Sequence, residues 1–120
     1  MTESQNENPK EIVRKLVSEH IKAKPKRISL KLDWDGKSSL IRLIGDDLDQ
    51  RVESQRTIDF TSFAHGVIEA YEEAYGKLEV VPVSLREDVY RNDKVSLDLY
   101  PTGMAGIFDI FIEYKQSNSS

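Results

Sequence analysis

The spacing of apolar residues changes several times along this chain, and each change marks an element. Ile12, Val13, Leu16, Val17 and Ile21 recur at three- and four-residue intervals, which predicts an amphipathic helix. Asn8 is a natural N-cap and Pro9 fits the first helical position. Glu11 stands where a capping box would have it reach back. Lys22 and Lys24 complement the negative end of the helix dipole, and Pro25 is the expected stop. From Arg27 to Trp34 the period becomes two: Ile28, Leu30, Leu32 and Trp34 face one way, Ser29, Lys31 and Asp33 the other. Asp35-Gly36 is a two-residue hairpin signal. Folding back around it pairs Leu32 with Ser39, Leu30 with Ile41 and Ile28 with Leu43, so both strands put their apolar sets on one face. Gly45-Asp46-Asp47 is the next turn, and a third, more polar strand is expected within Leu48 to Arg56.

Asp59 or Thr61 caps a second helix. Its stripe is Phe60, Phe63, Ala64, Val67, Ile68, Tyr71, Ala74 and Tyr75, with Glu69, Glu72 and Glu73 off the stripe and Gly76 as the stop. Leu78 to Leu85 is apolar but carries Pro82, which suits an edge strand or an extended connector. Asn92-Asp93 turns the chain. Val95, Leu97 and Leu99 then alternate with Ser96, Asp98 and Tyr100, Pro101-Thr102-Gly103 turns again, and Ile107 to Tyr114 closes a hairpin that sets Phe108, Ile110 and Ile112 beside the first apolar set. The expected fold is a single α+β domain. An antiparallel sheet built from two hairpins carries two amphipathic helices on one face, in the order α-β-β-(β)-α-(β)-β-β. Residues 1–8 read as a flexible lead-in, 9–114 as the domain and 115–120 as a flexible tail.

Composition narrows the function classes. In 120 residues there are 21 carboxylates against 17 lysines and arginines, a net charge of −4, two histidines and no cysteine. A disulfide framework is excluded. The usual nucleophiles and bases are scarce, which favours binding over catalysis. The acidic balance argues against nucleic acid and suits a partner with a basic face. The polar stretch Met1 to Asn8 has no export-signal pattern, and no apolar run is long enough to span a membrane, so a cytoplasmic protein without membrane contact is expected.

The outer face of the last hairpin is the first candidate site. Asp98, Tyr100, Asp109, Phe111 and Glu113 project from it together with Ile107, interleaving carboxylates with aromatics, where a solvated face would carry lysine, threonine and glutamate. The plainer alternative is that another element or a second protomer covers Phe111. Asp46, Asp47 and Asp49 form a dense acidic turn, a secondary contact for a basic partner. It does not fit a calcium loop, because Arg51 and Thr57 occupy the places that require glycine and glutamate. Glu69, Glu72 and Glu73 read as the wet side of the second helix, with a carboxylate-lined cleft as the catalytic alternative. His20 and His65 read as partly buried or surface residues. Trp34 either caps the core edge or anchors an interface. No metal or cofactor site is expected. The one basic patch, Lys22 to Arg27, is assigned to the end of the first helix.

The closing stretch, Val95-Ser-Leu-Asp-Leu-Tyr-Pro-Thr-Gly through Ile107-Phe-Asp-Ile-Phe-Ile-Glu-Tyr114, together with the helix at Phe60 to Tyr75, resembles the YezG-like antitoxin and immunity proteins of bacterial toxin systems. That resemblance implies a non-catalytic protein that binds and neutralises a cognate toxin with a basic surface, commonly a nuclease. The alternatives are an adaptor, or a homo-oligomer such as a homodimer that pairs its exposed sheet face or an edge strand, and a small ligand-binding domain or enzyme.

Overall fold

The computed structural model describes residues 8–32, 38–84, 87–101 and 107–115. Their elements are α1 (Pro9–His20) with a 3-10 turn (Ile21–Ala23), β1 (Arg27–Leu32), β2 (Ser39–Ile44), β3 (Asp49–Ser54), α2 (Phe60–Tyr75), β4 (Glu79–Ser84), β5 (Glu87–Arg91), β6 (Val95–Pro101) and β7 (Ile107–Tyr114). All neighbouring strands are antiparallel, and they form one seven-stranded sheet in the order β3-β2-β1-β7-β6-β5-β4. The α+β class is therefore as expected. Two meanders, β1–β3 and β4–β7, are fused through β1 and β7.

The register of the first hairpin follows its apolar pattern: Ile28 lies opposite Leu43, Leu30 opposite Ile41, and Leu32 opposite Ser39. The Asp35-Gly36 turn, Trp34, and the expected loose segments Met1 to Glu7 and Gln116 to Ser120 lie outside the described residues. The third strand exists, at Asp49–Ser54, as an edge strand exposing most of its side chains. The segment around Pro82 is the opposite edge, where a missing amide donor costs least. β5 was not anticipated, because Glu87 to Arg91 has too few apolar residues to show a period. It pairs β4 to β6 and extends the second half of the sheet from two strands to four. In the last hairpin Leu99 lies opposite Ile110, Leu97 opposite Ile112, and Val95 opposite Tyr114.

Two details at the helix ends differ from expectation. The Asn8 side chain accepts from the Glu11 amide at 2.9 Å as expected, but the Glu11 carboxylate turns to Arg14 (2.7 Å) instead of closing a capping box. A guanidinium within one helical turn is a better partner for a carboxylate than a neutral amide. Regular α-helix stops before Pro25 is reached: a 3-10 turn follows, and Lys24 adopts φ 56°, donating its amide to Ile21. Asp59 caps α2 through the Ser62 amide (3.2 Å), and Gly76, at φ 98°, closes it.

Both helices pack on the inner face. Val13, Val17, Phe63, Val67 and Tyr71 meet Ile28, Leu30, Ile41, Leu43, Leu97 and Ile110, all fully buried. Each such side chain contributes roughly 1.5–3 kcal/mol. The buried Ser39 hydroxyl accepts the Ile58 amide at 2.9 Å, tying the segment before α2 to β2. The glutamates of α2 are structural. Glu69 pairs with Lys10 (2.9 Å) and Glu73 with Arg14 (3.2 Å) across the helix seam, while Glu72 accepts the Leu78 amide (3.1 Å). Together they also line a shallow, open concavity of about 420 Å³. His20 Nδ1 lies 2.9 Å from the Leu16 carbonyl of its own helix, and His65 is exposed. At the far end of the core Tyr114 donates to the Pro25 carbonyl (2.7 Å). Its only proton is then committed, so Tyr71 donates to it across 2.6 Å.

Two predictions arise from this packing. The helices meet closely at Gly66, where an added Cβ would sit 2.7 Å from Val13 Cβ and 2.8 Å from the Lys10 carbonyl oxygen. Backbone cannot yield as a flexible side chain does, so Gly66→Ala should lose about 2 kcal/mol despite the better helix propensity of alanine. A urea titration checks this, and an unchanged midpoint would place the seam elsewhere. Burial, first of all, raises both Tyr71 and Tyr114 above the ordinary 10.0. The unfolded chain releases these phenolic protons near pH 10 while the native chain keeps them. The native state therefore binds more protons above that pH, and stability falls as pH rises further. The thermal midpoint should hold up to about pH 9 and drop beyond about pH 10. A flat profile through that window would contradict the buried phenol pair.

Candidate protein-binding face

The helices cover one side of the sheet, and strand parity decides what remains on the other. Across β6 and β7, Asp98 lies opposite Phe111, Tyr100 opposite Asp109, and Ser96 opposite Glu113. Asp98, Tyr100, Asp109, Phe111 and Glu113 thus share the outer face. Tyr100 is 47% exposed and Phe111 41%, and their rings meet edge to face at 6.2 Å between centroids. Mutual packing pre-orders both rings, so docking against them costs little side-chain entropy. Beside them Asp98 Oδ1 is buried without a hydrogen-bond partner among the described residues. An unpaired carboxylate oxygen removed from water is costly unless a donor reaches it.

Asp109 has a different character. β1 lies directly against β7, with Arg27 opposite Phe111 and Ser29 opposite Asp109. The Asp109 carboxylate is 5% exposed and accepts from Ser29 Oγ (2.6 Å) and Arg27 Nε (3.2 Å). The same guanidinium lies 5.8 Å from the centre of the Phe111 ring. Asp109 therefore helps to join the two meanders, and its charge is already answered within the chain. Glu113 is exposed and lies at the rim.

The acidic turn divides. Asp49, on the outer face of β3, is held by Nε and Nη2 of Arg42 at 3.0 and 3.1 Å. This fork holds the Asp49 carboxyl below its ordinary value and raises Arg42 in turn. Asp46 pairs with Lys26 at 2.8 Å. Asp46 and Asp47 join Glu113 around an open cleft of about 1020 Å³ at one end of the sheet, together with Lys22, Lys24, Lys26 and Lys115. Near-equal numbers of both signs give this cleft no single polarity. Lys24 leans on the Tyr114 ring at 5.9 Å. The basic run Lys22 to Arg27 is thus not one patch: its lysines go to the cleft and Arg27 goes to the sheet face.

A second feature of the face was missed from sequence. Between β3 and the start of β7 the outer surface is a shallow groove of about 320 Å³, lined by Arg27, Ser29, Lys31, Leu40, Arg42, Ile44, Arg51 and Ile107. The alternation of β1 and β2 places Arg27, Lys31 and Arg42 on one side. Arg51 joins them only through the β2–β3 register, in which it lies directly opposite Arg42. The outer face is therefore split: acidic and aromatic on β6–β7, basic on β1 and β2 and at Arg51 of β3, which stands between Asp49 and Glu53, with the Arg27–Asp109 pair at the boundary.

Among the described residues no three histidine, aspartate or glutamate side chains converge as metal ligands, and no helix is long and apolar enough to cross a membrane. Asp109→Lys should unfold the seam, because it sets an ammonium against Arg27 and removes the acceptor of Ser29. A loss of about 3 kcal/mol is expected from setting an unpaired cation in the nearly buried Asp109 position, beside the half-exposed Arg27. Glu113→Lys, at the exposed rim, should leave the thermal midpoint within a degree or so. Parallel melting curves check this, and an equal response of the two variants would show that Asp109 carries no structural load. No protein-family model matches this chain, and no curated protein matches it significantly.

Proposed function

We propose that this protein is a non-catalytic binding module of the antitoxin or immunity type, which occludes a cognate toxin by docking the β6–β7 half of its uncovered sheet face onto a basic surface. The observation that carries this reading is the exposed Tyr100–Phe111 pair beside the unpaired Asp98 oxygen. Two pre-ordered aromatic faces next to a carboxylate lacking a donor suit an arginine or lysine of a partner. The rings attract its charge, and rotation of the Asp98 carboxyl group brings an oxygen to its N–H groups. Nuclease toxins hold phosphate with such cations, so covering one blocks substrate. The exposed Glu113 and the net charge of −4 add steering toward a basic partner. Asp109 contributes by fixing the platform, not by contacting the partner.

The test is co-production with the toxin domain encoded next to this chain's gene. The wild-type chain should restore growth and bind the toxin tightly. Phe111→Asp should weaken the complex by about thirtyfold or more, as loss of a central aromatic anchor does, while the chain still melts cooperatively at a somewhat lower temperature because the new carboxylate lies opposite Asp98. Glu113→Lys should slow association and flatten its salt dependence. Undiminished protection by Phe111→Asp would remove this face from the mechanism. Failure of the wild-type chain to bind the toxin domain would remove the function.

A further inference from the structure

The basic groove on the other half of the face lies on different strands and does not depend on the toxin reading. We infer that it is a second docking site, which receives an extended segment of a partner protein carrying alternating carboxylate and apolar side chains. Arg27, Lys31, Arg42 and Arg51 line the groove, and among the described residues no carboxylate does. Asp109 and Asp49 stand at its rims, each engaged by one of these arginines (Arg27 and Arg42), and Glu53 lies at the edge strand opposite Leu40. Arg51 and Lys31 have no ion pair within the chain among the described residues. Arg42 and Arg51 face each other directly across adjacent antiparallel strands. Like charges in that position oppose sheet pairing; Asp49 answers Arg42, and a bound anion would answer Arg51.

The apolar lining identifies the anion. Leu40 and Ile44 lie on the outer face of β2, on either side of Arg42, so the groove alternates cation with hydrocarbon along the strand. A chain with carboxylates and apolar side chains at two-residue spacing matches that alternation. Nucleic acid matches it poorly. Among the described residues the groove has no aromatic ring on which a base could stack, and a chain of net charge −4 repels a polyanion at long range.

The probe is the eight-residue peptide Glu-Thr-Leu-Thr-Glu-Thr-Leu-Thr, whose extended form sets glutamate and leucine alternately on one face, blocked at both ends and titrated into the full chain while amide and arginine Nε–H resonances are followed by NMR. Saturable shifts should appear at Ser29, Lys31, Arg42 and Arg51. They should weaken with salt and be absent for the peptide with glutamine in place of glutamate. Arg51→Glu should weaken binding at least about tenfold, since it reverses a contact charge. It should leave the melting midpoint unchanged or higher, because it replaces a like-charge pair by an opposite one. Each of several results would overturn the inference: no saturation; equal binding by Arg51→Glu or by the glutamine peptide; shifts that centre on the lysine-lined cleft; or tighter binding of an eight-residue single-stranded oligonucleotide. A concentration-dependent dimer abolished by Arg51→Glu would assign the groove to a second copy instead, and would equally overturn it.

Discussion

The pairing of β1 with β7 is the contact on which the rest of the structure depends. It joins strands separated by most of the chain and turns two locally formed meanders into one sheet. Both faces of that seam are specified. On the inner side Ile28 meets Ile110 and Leu30 meets Phe108; on the outer side Ser29 and Arg27 hold the nearly buried Asp109. A slip of one residue would turn Ile110 to water and bury charged neighbours against the helices, so the register has no near competitor. The carboxylate adds direction to hydrophobic pairing, because its acceptors are filled only in this alignment.

Once the seam is set, the helices have one place to go. The buried set of the sheet is continuous across both meanders, and α1 and α2 cover it together, drawn close at Gly66. The polar network follows the same logic. Glu69, Glu73 and Glu72 spend their charge on the helix seam and on the loop after α2, and the Tyr71–Tyr114–Pro25 chain closes the far end. Residues that look like spare chemistry in the sequence are thus engaged in holding the layers together. What stays available is the uncovered sheet face.

That face has two electrical halves because the two meanders differ in what they place outward. β1 and β2 contribute arginine and lysine, and β3 sets Arg51 between Asp49 and Glu53; β6 and β7 contribute carboxylate and aromatic rings. Arg27 belongs to both, pairing with Asp109 and lying over Phe111 while lining the groove.

Local pattern determined the helices, their N-terminal caps, the first hairpin and its register, and the division of β6 and β7 into a dry and a wet side. These rest on contacts between residues near in sequence, where a period of two or 3.6 translates directly into a face. The strand β5 escaped because Glu87 to Arg91 draws its place from neighbours and not from its own apolar content. The engagement of Asp109, the scattering of the Lys22 to Arg27 run, and the basic groove were decided only by the tertiary structure. Each depends on which strand lies beside which, as when Arg27 comes to face Phe111 and Arg42 comes to face Arg51. Side chains remote in sequence become neighbours there, and whether a charge is free or answered is a property of that neighbourhood, not of the residue that carries it.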